Sequence, residues 1–395
     1  MTSFDSSPTL TVWRTLLALA VVFVMLATTG WTAVHHQRTA GPRQAALTAW
    51  GRGSVAGHHL PSANASSDRL THFFASLKAA DRTRLADRYP LVVGNLNGAP
   101  VTLRYRANRH ALEQAAEQER KRLTDPTLNK FGQQDARQTY DRYNALAQPG
   151  RQILAFDPTG TGRVAEVMGN LQQARHISIV VPGVDTNLLT FQKTQRAYYT
   201  APVGMATSLY GAERSAAPGS RSAVIAWADY TAPVGIGVDA AIGRLAAEGS
   251  LRLHALVGGL PGKAPVALFC HSYGSVLCGV AARNLPSRVS DIAVAGSPGM
   301  RVENAAQLGT DARVWAMRDK DDWIQDVPHL DVGGLGHGAD PVSPQFGARV
   351  VSAGTAQGHT GYFTPGTESL HNFAAVGTGE FDSVTCANGG DTCHS

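Results

Sequence analysis

From residue 177 onward the chain carries short, nearly continuous apolar runs: Ile177 to Val181, Ala223 to Trp227, Val266 to Phe269, Ile292 to Ala295, Val314 to Met317 and Arg349 to Ala353. Runs of this length without polar alternation predict strands covered on both faces. Helix-like segments separate most of them, notably Val238 to Leu260, where Ile242, Leu245, Leu253, Leu256 and Val257 fall roughly in phase. Just upstream, Arg151 to Phe156 and Arg163 to Met168 flank Asp157-Pro158-Thr159-Gly160-Thr161-Gly162, two strands around turn residues. Strands alternating with helices predict an α/β fold with a largely parallel sheet and right-handed crossovers. In such sheets the functional site lies beyond the C-terminal strand ends.

The first 149 residues read differently. Thr15 to Val34 is apolar, and its core from Leu16 to Ala27 has no charge. At about 1.5 Å per residue, such a stretch just crosses a hydrocarbon layer of about 30 Å. It predicts a membrane anchor or a cleaved signal peptide within residues 1–40, and so a protein held at the cell membrane with its folded part outside, or secreted. Residues 41–67 are small and polar, as in a linker. In the helical region 68–149, Asp68 is placed to cap a helix carrying Leu70, Phe73, Phe74 and Leu77, and a second helix runs from about Arg82 to Arg88 before Pro90. Beyond the turn Gly94 to Gly98, charged and Gln-rich helices occupy roughly Asn108 to Leu146. Residues 150–380 form the α/β domain, and 381–395 a tail.

Composition narrows the class. Of 395 residues, 43% are hydrophobic and 16% charged, with 41 Gly and 20 Pro, which excludes disordered, collagen-like and coiled-coil chains. The net charge of +5 comes from arginines interspersed with acids, so no nucleic-acid-binding stripe is formed. Cys386 and Cys393 bracket an Asn-Gly-Gly turn able to bring the two sulfurs together, and a disulfide there suits an exported protein. With no zinc-type spacing, phosphate loop or nucleotide fingerprint, the chemistry requires neither metal nor cofactor.

The sharpest chemical signal is Val-Ala-Leu-Phe-Cys-His-Ser-Tyr-Gly-Ser, which sets Ser272 between a strand and a helix beginning near Tyr273. A nucleophile elbow needs small residues two before and two after the serine, because strand and helix approach closely there. Gly274 meets the later requirement, and Cys270 stands at the earlier one. A serine nucleophile needs a base and an orienting acid, which follow it in this architecture in the order acid, then histidine. After the strand ending at Met317 comes the acidic loop Arg318 to Ile324, where Asp322 is the candidate acid, Asp321 its substitute, and Asp319 reads as part of a solvated charged loop. His359, in Gln-Gly-His-Thr-Gly, is the candidate general base; an imidazole with pKa near about 6.5 can take and return the serine proton. His371, within a helix, and His337, between the last two strands, are its rivals. The backbone N–H groups of Tyr273 and Val184, the latter in Val-Pro-Gly-Val-Asp after the first parallel strand, are candidate oxyanion donors. The segment Phe191 to Tyr210, with Tyr198 and Tyr199, either covers the cleft or packs as a helix.

These motifs recur in order. Residues 70 to 379 carry Gly94-Asn95-Leu96-Asn97-Gly98, Ala107-Asn108-Arg109, Arg151 to Pro158, Val180-Val181-Pro182-Gly183, Ala226-Trp227 near Tyr230 and Ala232-Pro233, His271 to Ser275, His337 to Pro341, Gly358-His359-Thr360 with Tyr362-Phe363, and Ser369 to Asn372. In these the chain resembles a family of exported or membrane-associated actinobacterial α/β-hydrolases catalogued as a domain of unknown function. The resemblance implies an α/β-hydrolase fold and a serine-hydrolase triad at Ser272, Asp322 and His359. It departs at Cys270, where family members usually keep glycine. The expectation is an extracytoplasmic serine hydrolase cleaving a carboxylic ester, of a small molecule or lipid-like, through an acyl-enzyme. The alternatives are amide hydrolysis or acyl transfer by the same residues, and a non-catalytic envelope-binding protein on the same fold.

Overall fold

The computed structural model describes residues 41–394 apart from positions 196, 333 and 390. The apolar stretch at Thr15 to Val34 lies outside the described residues; among those described, no helix is long and apolar enough to cross a membrane.

The apolar runs form a sheet of eight strands: β1 (Ile153–Asp157), β2 (Arg163–Gly169), β3 (His176–Val181), β4 (Ser222–Ala228), β5 (Val266–His271), β6 (Val289–Ala295), β7 (Arg313–Met317) and β8 (Arg349–Val350). Their order is β1-β2-β4-β3-β5-β6-β7-β8. Only β2 runs against its neighbours, pairing antiparallel with β1 and β4 while the other pairs are parallel. The continuous apolar runs follow from two covered faces: along β3, Ile177, Ile179 and Val181 join one core and Val180 the other.

On the first face, α7 (Arg244–Gly258) and α8 (Tyr273–Ala282) bring Leu253, Leu256, Val276 and Leu277 against Ile179, Ile225, Leu268 and Ile292. On the second lie α4 (Val101–Leu123), α5 (Lys130–Leu146), α6 (Pro202–Ala216) and α9 (Glu368–Thr378), whose Leu112, Leu146, Leu209 and Phe373 cover Phe156, Val224, Phe269 and Trp315. Each such side chain contributes about 1.5–3 kcal/mol through burial. A third core unites Trp50, Phe74, Leu85 and Val93 from α1 (Pro42–Gly51), α2 (Ser67–Ser76), α3 (Ala79–Arg88) and the turn that follows.

The helical region closes the sheet's β1 edge with amides. Asn95 accepts from Phe156 N (3.1 Å) and donates to Phe156 O (2.7 Å), so its side chain acts as a missing neighbouring strand. Asn108 donates to both Gly94 O and Ile153 O at 2.9 Å, and a Cβ at Gly94 would lie 2.0 Å from the Asn108 Oδ1. Residues 42–395 form one compact unit, with no separation near residue 149.

Several boundaries differ from those read in the sequence. The expected linker 41–67 carries α1 and a short hairpin, with Trp50 buried and its Nε1 donating to Pro61 O (2.6 Å). Ser66, rather than Asp68, caps α2. The helix expected from Val238 to Leu260 breaks at Gly243, which takes φ +56, leaving one turn at Val238–Ala241 before α7. The last strand stops at Val350, beyond which Val351 bridges to Cys386 in the tail. Phe191, Met205 and Leu209 are core residues, the last two on the packing helix α6, while Tyr198 between them is 40% exposed.

Candidate active site

The C-terminal end of β5 turns directly into α8, and the residue at the turn is Ser272, at φ 55 and ψ −129. A non-glycine residue holds such a conformation only where its surroundings over-determine it. Here Ser272 N donates to Ala295 O (3.0 Å) on β6, and Ser272 O accepts from Ser275 N (2.9 Å) and Ser275 Oγ (2.6 Å). A Cβ on Gly274 would lie 2.2 Å from Val181 O, so only glycine lets α8 pass the end of β3.

Cys270 is bonded to Cys278, two turns into α8, so the elbow is stapled on the strand side and the helix side of the serine. Read along the sequence, Cys270 is a stand-in for glycine; the fold makes it half of a disulfide, because the strand-to-helix reversal returns residue 278 beside residue 270. The tail pair Cys386 and Cys393 is also joined.

The loops after β7 and β8 converge on the serine. His359 Nε2 lies 2.8 Å from Ser272 Oγ, and His359 Nδ1 lies 2.8 Å and 3.1 Å from Asp322 Oδ1 and Oδ2. A carboxylate beside Nδ1 fixes that nitrogen as the protonated one, which leaves Nε2 to accept the serine proton. Asp322 is fully buried and also accepts from Ile324 N (2.9 Å) and Tyr362 Oη (2.5 Å). Burial pushes its carboxyl up, but the bonds from His359, Tyr362 and Ile324 outweigh that, and its pKa falls below the usual carboxylate value.

The other acids and histidines separate from this set. Asp321 is exposed. Asp319, expected in solvent, is buried: its Oδ2 accepts from Gly358 N (2.9 Å) and Asp321 N (3.1 Å), which pins the histidine loop to the acid loop. Ile324 is the residue that tucks into the core, while Trp323 turns outward with its ring 4.7 Å from the His359 ring. His371 contacts Ser383 O (3.2 Å) away from the serine, and His337 lies edge-on to Tyr273 at 6.1 Å.

Three positioning groups carry no catalytic signature in the sequence. Tyr362 donates to Asp322 and accepts from Asp319 N (3.0 Å). His271 donates from Nε2 to His359 O (2.5 Å); burial lowers its pKa to about 4, so the ring is neutral at physiological pH. Tyr230 donates to Pro182 O (2.6 Å), holding the loop after β3 against the elbow. On that loop, a Cβ at Gly183 would lie 2.6 Å from Ser272 Cβ and 3.2 Å from Tyr273 N. Among the described residues, neither Val184 N nor Tyr273 N donates to another backbone group outside a helix or strand.

A mixed sheet in this strand order, with a serine at the strained β5–α8 turn and an acid and a histidine on the loops after β7 and β8, defines the α/β-hydrolase fold. Residues 157–332 match a family profile described as alpha/beta hydrolase. Two uncharacterized proteins of Mycobacterium tuberculosis, from strains CDC 1551 and H37Rv, are 26% identical over 384 residues, an alignment covering 82% of this chain and 57% of theirs. The chain thus spans little more than half the length of these relatives. Among solved structures, a predicted CIB-like hydrolase from Thermoplasma acidophilum aligns at 15% identity over 59% of this chain and 97% of its own, with a TM-score of 0.36. A dienelactone hydrolase from Anabaena variabilis aligns at 15% identity over 60% and 99%, with a TM-score of 0.35.

Proposed function

We propose that the protein is an extracytoplasmic serine hydrolase that cleaves a carboxylic ester through an acyl-enzyme. The observation that carries this reading is the unbroken relay from Asp322 through His359 to a serine held at positive φ, each link 2.8 Å. Ser272 Oγ attacks the ester carbonyl as His359 Nε2 takes its proton, forming the Oγ–C bond. The carbonyl oxygen gathers negative charge beside the N–H groups of Val184 and Tyr273 and the positive end of α8. The tetrahedral intermediate collapses by breaking the C–O bond to the alcohol, which leaves with the proton from His359. Water, deprotonated by the same imidazole, then attacks the acyl-serine and releases the acid and free Ser272. Asp322, held ionised, orients the ring and stabilises its protonated form.

Two disulfides, one at the site and one in the tail, support placement in an oxidising compartment outside the cytoplasm. The apolar run at Leu16 to Ala27 supports export or anchoring. Turnover of p-nitrophenyl esters tests the assignment: Ser272→Ala should lower it by several orders of magnitude, and a variant as active as the wild type overturns the role of Ser272.

A further inference from the structure

Large apolar side chains left in solvent concentrate on loops at the catalytic edge of the sheet. The loop after β4 exposes Val234, Ile236 and Val238 at 79, 75 and 54%, and the segment after β7 exposes Trp323, Leu330 and Leu335 at 44, 49 and 53%. Both loops border the mouth of the site. The first is tied to the loop carrying Val184: Asp185 N donates to Pro233 O and Gly235 N to Asp185 Oδ1, each at 2.8 Å. The second carries Trp323 against the His359 ring. Arg301 Nη1 donates to Gly336 O (2.8 Å) on the second loop and packs beside Gly243, where a Cβ would lie 2.8 Å from it, at the start of α7.

The loop sequences are built for outward display. Val234-Gly235-Ile236-Gly237-Val238 alternates apolar side chains with glycine, and residues 230–238 contain no charge. A glycine between each pair leaves these side chains little to pack against inside their own loop. Charges of both signs neighbour these side chains along the chain: Lys320 and Asp321 precede Trp323, Asp326 falls between Trp323 and Leu330, and Asp239 and Arg244 follow Val238. Exposed apolar side chains interspersed with charges of both signs, on loops tied to the site, fit a lipid surface, with acyl chains meeting the apolar groups and zwitterionic headgroups meeting the charges. The uncharged run at Leu16 to Ala27, expected from the sequence to be a membrane anchor or an export signal, is in its anchor form a second lipid-directed feature of the chain.

We propose that Val234, Ile236 and Val238 on one loop and Trp323, Leu330 and Leu335 on the other form an apolar collar that seats the catalytic mouth on a zwitterionic lipid surface, so that the ester is drawn from that surface by its acyl chain. The docking stands on the collar; the identity of the ester rests on the hydrolase reading above.

The test uses the full chain in a Ser272→Ala background, which separates docking from turnover. Ile236→Cys, Leu335→Cys and, as control, Leu251→Cys in mid-α7 each carry an environment-sensitive fluorophore and are mixed with phosphatidylcholine vesicles, with and without chain-brominated lipid. Collar labels should shift to the blue and be quenched by bromine while the label at 251 does neither. In the chain with Ser272 intact, Ile236→Ser/Leu335→Ser should hydrolyse a short monomeric ester within about twofold of wild type and lose about tenfold or more on a long-chain ester in vesicles. Collar labels unmoved by vesicles, or a shift equal at position 251, overturn the proposal. So does a blue shift that grows with protein concentration without lipid, which means a second copy covers the collar. Collar labels that shift in a protein that turns over no ester leave the docking standing and overturn the hydrolase reading instead.

Discussion

Glu213 offers a quantitative test of the buried framework beneath the site. It lies on α6 with no solvent exposure, accepts from the Ser178 hydroxyl on β3, and faces Gly377 of α9, where a Cβ would sit 2.3 Å from its Oε1. Burial raises its pKa from 4.5 to about 8, with the Ser178 bond pulling weakly the other way. The folded state therefore keeps a proton that the unfolded chain has lost. The stability contribution is complete below pH 4.5, falls by about 1.4 kcal/mol per pH unit between the two values, and levels off above pH 8, a span of about 5 kcal/mol. Glu213→Gln keeps an acceptor for Ser178 and cannot titrate. Urea unfolding followed by tryptophan fluorescence at pH 5 and pH 8 should show the variant gaining about 3–4 kcal/mol on the wild type between those conditions, other titrations cancelling in the comparison. A wild-type-to-variant difference constant within about 0.5 kcal/mol across that range would refute the claim that Glu213 is protonated in the fold.

Tyr362→Phe removes the donor on Asp322 Oδ2; a hydrogen bond to a buried charge is worth about 1.5–3 kcal/mol, so kcat on a p-nitrophenyl ester should fall about tenfold or more with KM nearly unchanged. An unaltered kcat would remove Tyr362 from the account. Gly183→Ala drives a methyl against Ser272 Cβ at 2.6 Å; kcat should drop by about 100-fold or more while far-UV circular dichroism stays that of wild type, and full activity would show that the loop yields freely. Replacing Cys270 and Cys278 together by serine opens a loop closed over a separation of 8 residues, worth about 2–3 kcal/mol in unfolding experiments, and equal midpoints in urea would contradict a stapled elbow.

What the sequence disclosed follows from range. The strands announced themselves because a doubly covered strand such as Ile177 to Val181 needs no polar alternation, and Ser272 stood out because its turn demands Gly274 two residues away. Both are local constraints. The partnerships of Asp319 with Gly358 and of Tyr362 with Asp322 join loops about forty residues apart, and no spacing rule distinguishes a phenol that holds a carboxylate from one that fills a core. The choice between Asp321 and Asp322 turned on which carboxylate faces the imidazole, something only the folded loop decides. Cys270 misled because its neighbours in sequence asked for a small residue while its neighbour in space, Cys278, asked for a sulfur. Residues 42–59 were misread because small polar composition resembles a linker, although Trp50 anchors them in the third core.

The central claim is that Ser272 becomes transiently acylated with His359 as its base. Rapid mixing of the protein with a p-nitrophenyl ester, quenched in acid within the first turnover and followed by mass spectrometry of the Ser272 peptide, tests it most directly. The account predicts a peptide heavier by one acyl group alongside release of one equivalent of nitrophenol, with the adduct lost in Ser272→Ala and its formation slowed by orders of magnitude in His359→Ala. Steady turnover by well-folded protein in which this peptide never gains mass, or an acyl group recovered on another residue, would contradict it.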